Sequence, residues 1–331
     1  MKIFLKKLAF FFIPIILYVI IVLSLDIFKI FKDYNNYYNQ DITTLNRTYV
    51  STKIFQKNKD SVNYDSFIFG SSRSQAFKTP IWKHYLPEKS VPFHYDAHSE
   101  DLYGIYKKLE FLDDVNSPIN HALIIIDRAV LSGTIKRLNH LYINPVEFND
   151  VSKYEFYSSF ILANLNPRFM MAYADFYCFK TYRNYMKNYV RMDKYPDTFT
   201  PIYNDSYYGL AKEIKEDSLG YYNKLKQQGV FYQRPQESNI TLEKTKREID
   251  LLNKIKSIFN KHDTNYKIVV SPLYDQIPME EEQLVLLYSI FDKDKVFDFS
   301  GKNNLTEPIS NYFESSHYKP NVAKIILDSI Y

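Results

Sequence analysis

The sequence predicts an α/β protein built on a parallel sheet, and three observations carry that prediction. From about residue 64 onward, short apolar runs alternate with segments of helical periodicity. The run Ala122-Leu123-Ile124-Ile125-Ile126 is continuously apolar, as a strand covered on both faces should be. Ahead of the fourth run, Ile249, Leu252, Ile255 and Phe259 recur at helical spacing. Strands are expected at Ser66–Phe69, Pro92–Tyr95, Ala122–Ile126, Tyr266–Val270 and Val296–Phe299. Helices fit between them at Ser99–Leu112, Thr241–Lys261 and Pro320–Tyr331.

Upstream of the sheet the pattern changes. Lys2, Lys6 and Lys7 precede an uncharged run from Leu8 to Leu25, closed by Asp26. A spanning helix needs about 17 to 25 apolar residues, and Pro14 is tolerable inside one. A cleaved signal peptide is the rival. Val22-Leu23-Ser24 is the only passable cleavage match, and the run exceeds the usual apolar region of a signal peptide. The sequence therefore predicts a cytoplasmic tail at residues 1–7 and an uncleaved transmembrane anchor over 8–27. Lysines on the near side place the following domain outside the membrane, although Lys29 and Lys32 reduce the asymmetry.

Residues 28–63 are polar and tyrosine-rich and read as a stalk or lead-in; residues 64–331 form the main domain. Within it, the stretch of about 154–236 is too long for a crossover between strands. Its helical patterns predict an inserted helical subdomain that covers the site or a partner-binding face rather than joining the sheet.

Bulk properties mainly exclude. A hydrophobic share of 46% with 24% charged residues is that of a globular protein, and a net charge of +4 from dispersed residues gives no sign of nucleic-acid binding. Cys178 is the only cysteine, so an intrachain disulfide and a multi-cysteine zinc site are both ruled out. The abundance of Tyr (31) and Phe (25) over Gly (7) is most simply a coding bias, though tyrosine suits a carbohydrate-facing surface.

The chemistry concentrates at the carboxyl ends of the expected strands, where open parallel sheets bind ligands. Ser72 lies in Phe69-Gly70-Ser71-Ser72-Arg73, directly after the first strand; Asp127 and Arg128 follow the third, Tyr274 the fourth, and His317 the fifth through a loop. Serine after a strand often caps the next helix. That role suits Ser71 or Ser74 better, which leaves Ser72 as nucleophile, with its own N–H at a helix start able to hold an oxyanion. Glu314 stands three residues before His317, where a carboxylate can orient an imidazole as base. Arg73 is either a solvated residue of the first turn or a partner for an anionic substrate group. His84, His121, His140 and His262 lack such a context. His94 and His98 flank Tyr95-Asp96-Ala97, but nothing completes a metal-ligand set there, so no metal is expected.

Gly70-Ser71-Ser72 resembles the first block of the SGNH (GDSL-type) hydrolase superfamily, whose usual Gly-Asp-Ser puts the nucleophile third. Glu314-Ser315-Ser316-His317 resembles its last block, usually Asp-x-x-His. The resemblance covers roughly Asp65 to Tyr331, with only the two ends well marked. It is nearest to the membrane-anchored, extracytoplasmic proteins of bacterial envelope polymer acylation, including the D-alanyl transfer protein acting on teichoic acids. The resemblance implies a flavodoxin-like three-layer fold, a Ser72–His317–Glu314 triad and no cofactor. It also implies an oxyanion donor in the loop after the second strand, from Ala97, His98 or Ser99. Ser71 and Glu314 depart from the usual Asp, and the Gly-x-Asn-Asp block is absent. Asp127-Arg128 occupies its position, with Arg128 able to point an N–H at the oxyanion. Ser71, Arg73 and Tyr274 complete the candidate substrate contacts. The implied function is acyl transfer or ester hydrolysis on an envelope polysaccharide or related polymer, beside a membrane-bound O-acyltransferase, in the bacterial cytoplasmic (inner) membrane. The alternative is a non-catalytic SGNH-shaped scaffold that binds glycan or an assembly partner.

Overall fold

The computed structural model describes residues 2–38, 43–190, 195–236 and 245–331. The chain forms two compact units: Met1–Leu45 with Tyr157–Met192, and Asn46–Phe156 with Asp193–Tyr331.

In chain order the elements begin with α1 (Lys2–Leu25), α2 (Arg47–Val62), β1 (Ser66–Gly70), α3 (Thr79–Lys83) and β2 (Pro92–His94). Next come α4 (Leu102–Asp114), β3 (His121–Ile126), α5 (Arg128–Ser132), α6 (Lys153–Asn164) and α7 (Pro167–Phe179). A small ribbon, β4 (Thr198–Phe199) and β5 (Ser206–Tyr207), precedes α8 (Leu210–Glu216), α9 (Ser218–Gln227) and α10 (Lys246–Lys261). The chain closes with β6 (Asn265–Val270), α11 (Glu281–Phe291), β7 (Val296–Asp298), β8 (Tyr312–Glu314), β9 (His317–Tyr318) and α12 (Pro320–Ile330).

The larger unit is built on a five-stranded sheet in the order β2-β1-β3-β6-β7, and every pairing is parallel. Alternation along the strands sends side chains to two apolar layers. Ile68, Leu123, Ile125 and Val269 pack with Trp82 at the end of α3 and with Val322, Ile326 and Leu327 of α12. On the opposite face Phe67 meets Phe55 of α2, which also contacts Phe93 and Phe111. Phe259 of α10 stacks on Tyr266 of β6 at 4.7 Å. Both faces are thus covered, as the continuous apolar strand required. Side chains start several helices: Asn46 caps α2, Asp101 caps α4, Asp127 caps α5 and Thr245 caps α10.

Two sequence expectations change. Residues 28–63, expected as a stalk or lead-in, contain α2, whose Val50 and Phe55 are wholly buried in the larger unit. A charged residue at its start is buried too: Arg47 Nη2 donates to Asp96 Oδ1 at 2.7 Å. The expected insert over about 154–236 is divided. Its first half, from Tyr157, belongs with α1, whereas residues after 192 belong to the larger unit. There the β4–β5 loop covers the sheet's edge, with His94 N–H donating to the Tyr203 carbonyl at 3.0 Å. None of the described residues of that stretch joins the five-stranded sheet.

In the smaller unit, α1 ends at Leu25. Asp26 adopts a left-handed backbone, and its carboxylate accepts from Ile30 and Phe31 N–H at 2.9 and 3.0 Å. Phe28 then packs against Phe160 of α6 and Phe169 of α7, at 5.7 and 5.4 Å between ring centres. Among the described residues, no helix is long and apolar enough to cross a membrane. The expected anchor over 8–27 starts on Leu8 and Ala9, whose side chains lie outside the described residues. The described run from Phe10 to Leu25 is shorter than the roughly 17 residues that a span needs.

Candidate active site

β1 delivers Ser72 to the carboxyl edge of the sheet. The strand ends at Gly70, whose φ is +149°, and a Cβ there would stand 2.7 Å from the Ile125 carbonyl oxygen. Only glycine lets β1 turn this close to β3. Ser71 then caps the 3-10 turn Ser72–Ala76, its hydroxyl accepting from Arg73 N–H at 3.4 Å. Because Ser71 caps, the Ser72 hydroxyl is left for other partners. It meets His317 Nε2 at 2.8 Å.

His317 and its carboxylate come from one small ribbon. β8 and β9 pair antiparallel, with Glu314 directly opposite His317. The spacing of three residues in sequence is therefore a hairpin across Ser315-Ser316, and it brings Glu314 Oε1 to His317 Nδ1 in a hydrogen bond. The other carboxylate oxygen accepts from Ser316 N–H at 2.7 Å. Burial pushes the Glu314 carboxyl up, but the hydrogen bond and charge of His317 outweigh it and hold the group below the usual glutamate range. Nothing in the sequence signalled Tyr208. Its ring lies 5.3 Å from the His317 ring, and its hydroxyl donates to the Ser72 carbonyl at 3.3 Å.

Ser72, Arg73 and His317 line an open cleft of about 510 Å³, together with Ser71, Ser99, Asp101, Ala129, Gly133 and Arg137. Asp101 Oδ2 pairs with Arg137 Nε at 2.9 Å. Burial, aided by the nearby Glu100 charge, nonetheless pushes the Asp101 carboxyl up to about 6.

The other predicted contacts separate into those near the cleft and those turned away. Asp127 caps α5 through Oδ1 and accepts from Arg73 Nη1 at 2.7 Å through Oδ2. Arg73 Nε also donates to the Ser316 carbonyl at 3.2 Å, which ties the serine turn to the histidine ribbon. Asp127 outweighs burial and keeps the guanidinium charged.

Arg128, expected to aim at the oxyanion, instead donates to the Pro278 carbonyl at 2.8 Å and faces Glu280 at 3.5 Å. As the first residue of α5, just past the Asp127 cap, it is turned toward the loop after β6. Tyr274 is buried among Phe231, Tyr232 and Tyr312, and its hydroxyl donates to the Tyr232 carbonyl at 2.9 Å. It packs into the core and does not line the cleft.

In the loop after β2, the Ala97 N–H donates to the Gly70 carbonyl at 3.2 Å, so it is not available to an oxyanion. His98 is half-buried and does not line the cleft. Ser99 does line it, with a left-handed backbone at φ 48°. The Ser72 N–H donates to no group among the described residues.

Behind the serine turn lies a buried polar layer that the sequence did not reveal. Gln75 Nε2 donates to Asp96 Oδ2 at 2.6 Å, and Ser74 Oγ meets His94 Nε2 at 3.1 Å. Asp205, from the ribbon segment, faces His94 Nδ1 at 3.3 Å. Asp96 and His94, the loop residues weighed as metal ligands, are thus engaged by protein groups.

Compared with models of known protein families and with curated proteins, the chain matches none.

Proposed function

We propose that this chain is an acyl-ester transferase or esterase with a Ser-His-Glu site, acting on an envelope polysaccharide or related polymer. One observation carries the reading: Ser72 Oγ lies 2.8 Å from His317 Nε2 while Glu314 engages Nδ1 of the same ring. Glu314 at Nδ1 fixes the tautomer whose Nε2 carries a lone pair toward Ser72. Ser72 then attacks the ester carbonyl, its proton passes to Nε2, and Glu314 stabilises the imidazolium that forms. Collapse of the tetrahedral intermediate returns the proton to the leaving alkoxide and leaves Ser72 acylated. A sugar hydroxyl or water, deprotonated by His317, completes the cycle. The Ser72 N–H is one oxyanion donor, and the Ser99 backbone is the best placed of the three loop residues to add another.

Two further points support an SGNH-like assignment. The strand order matches the flavodoxin-like arrangement, and the serine follows the strand at its switch point. The Gly-x-Ser and Glu-x-x-His blocks bracket that unit. The polymer substrate, the neighbouring membrane-bound O-acyltransferase and the inner-membrane, extracytoplasmic setting rest on the resemblance and on the apolar N-terminal run.

A fluorophosphonate probe tests the chemistry, because it reacts only with an activated serine. The expected result is a single adduct on Ser72 that Ser72→Ala abolishes. A scaffold reading has its own support, since the Ala97 N–H is committed and Arg128 faces elsewhere. A folded wild-type chain that resists the probe would establish that reading instead.

A further inference from the structure

We propose that Arg73 is a catalytic residue, whose Nη2 supplies the oxyanion donor that the absent Gly-x-Asn-Asp block would otherwise provide; this rests on the serine-nucleophile reading. Arg73 follows the nucleophile directly and lines the same cleft as Ser72 and His317. Two of its nitrogens are fixed, Nη1 by Asp127 at 2.7 Å and Nε by the Ser316 carbonyl at 3.2 Å. A guanidinium has five N–H donors in a rigid plane, so holding two nitrogens sets the direction of the third. Nη2 donates to no group among the described residues and is not sealed from solvent. The fork is thus held at two nitrogens, with its third left without a protein acceptor among the described residues.

The partner of Arg73 decides what kind of charge it serves. Asp127 already neutralises it in the resting site, where the pair has little net attraction for a permanent anion. During attack, the bond from Ser72 Oγ to the carbonyl carbon forms as the carbonyl π pair moves onto oxygen. The serine proton goes to His317 Nε2. The new negative charge then meets N–H dipoles that need no reorganisation, and that interaction is stronger in the transition state than in the ground state. Arg73 should therefore govern turnover rather than substrate binding. Arg128, the alternative guanidinium, is held at the Pro278 carbonyl.

The test uses the full-length chain in detergent, with a fluorophosphonate probe and p-nitrophenyl acetate. In Arg73→Gln, the phosphonylation rate and kcat should each fall about 100-fold, as for loss of one oxyanion donor, while KM changes less than about threefold. Arg73→Lys, which keeps the charge without the fork, should recover only part of the loss. Asp127→Asn retains the oxygen that caps α5 and loosens the guanidinium, so kcat should fall by about tenfold with the melting temperature nearly unchanged. A raised KM with wild-type kcat would overturn the proposal in favour of a ground-state anion contact. Wild-type values for both constants would reduce Arg73 to a structural ion pair. Absence of any Ser72 adduct in the wild-type chain would remove the nucleophile reading and this inference with it.

Discussion

Ser72 and His317 meet through a single hydrogen bond, so under the proposed mechanism neither serves attack without the other. Ser72→Ala and His317→Ala should each lower kcat/KM for an aryl ester by about 10⁴-fold or more, and the double variant should lose little beyond that. Circular dichroism should report an intact fold, since both side chains border an open cleft. Full activity in folded Ser72→Ala would end the enzyme reading. Glu314→Gln should be milder, about 100-fold, because the carboxylate orients the base and takes no proton itself. The cleft carboxylate Asp101 titrates in the opposite sense to Glu314. Its folded value, raised to about 6 chiefly by burial, exceeds the unfolded value of about 3.9. Its contribution to stability is complete below about pH 3.9 and is lost as pH rises through about 6. Asp101→Asn retains an oxygen to cap α4, so its melting temperature should gain on that of the wild type between pH 4 and pH 7. A difference that stays flat over that range would show that the burial penalty is absent. The contact of Ser72, His317 and Glu314 was legible in sequence because strand-end serine and Glu-x-x-His are local patterns. Tyr208 and the Arg73–Asp127 pair were not, because each joins segments more than 50 residues apart.

At the scale of elements, the sheet strands were legible from apolar runs alone, and all five lie within a residue or two of their expected positions. The central strands β1 and β3 are buried almost throughout, which their continuous apolar runs match. α2 was hidden by its own composition: polar residues dominate it, and only Tyr49, Val50, Ile54 and Phe55 mark its buried face. What fixes it is a charge. Arg47 and Asp96 are both essentially inaccessible to solvent, and Gln75 joins them to the serine turn. Burial pushes the Asp96 carboxyl up, but Arg47, His94 and Gln75 outweigh it and hold the group far below the usual aspartate range. Because its folded value is depressed, that stability is present above the unfolded value of about 3.9 and disappears only in strong acid. Arg47→Met leaves Asp96 buried without its counter-charge, and it should cost about 3 to 5 kcal/mol by denaturant titration at neutral pH. A cost below about 1 kcal/mol would mean that water reaches Asp96 and that α2 is not clamped to the turn. The stretch of about 154–236 is shared between the two compact units, and the sequence did not show that division. Helical periodicity marks 156–165 and 170–192 as helical, but not which core each stretch joins, and α8 and α9 at 210–227 carried no such mark.

At the scale of the whole molecule, the smaller unit poses the question of where the protein resides. Phe10, Phe11, Ile16 and Leu17 of α1 are all more than half exposed. An apolar helix without a polar face has no stable place in water and belongs in a protein core or in lipid. Under the proposed inner-membrane setting, the N-terminal lysines would put the residues after α1 on the extracytoplasmic side. Cys178 offers a direct reading of that orientation. It is the only cysteine, it is exposed, and it sits near the end of α7 in the unit that contains α1. A thiol outside the cytoplasmic membrane meets a charged maleimide at once, whereas one inside is shielded until the membrane is opened. In intact spheroplasts, a membrane-impermeant maleimide should therefore label the wild-type chain to the same extent before and after permeabilisation, and Cys178→Ser should show no signal. The labelled chain should stay with the membrane pellet through an alkaline carbonate wash. Labelling that appears only after permeabilisation would place Cys178 and its unit on the cytoplasmic side and count against the extracytoplasmic proposal. Release by carbonate would mean that α1 does not anchor the chain.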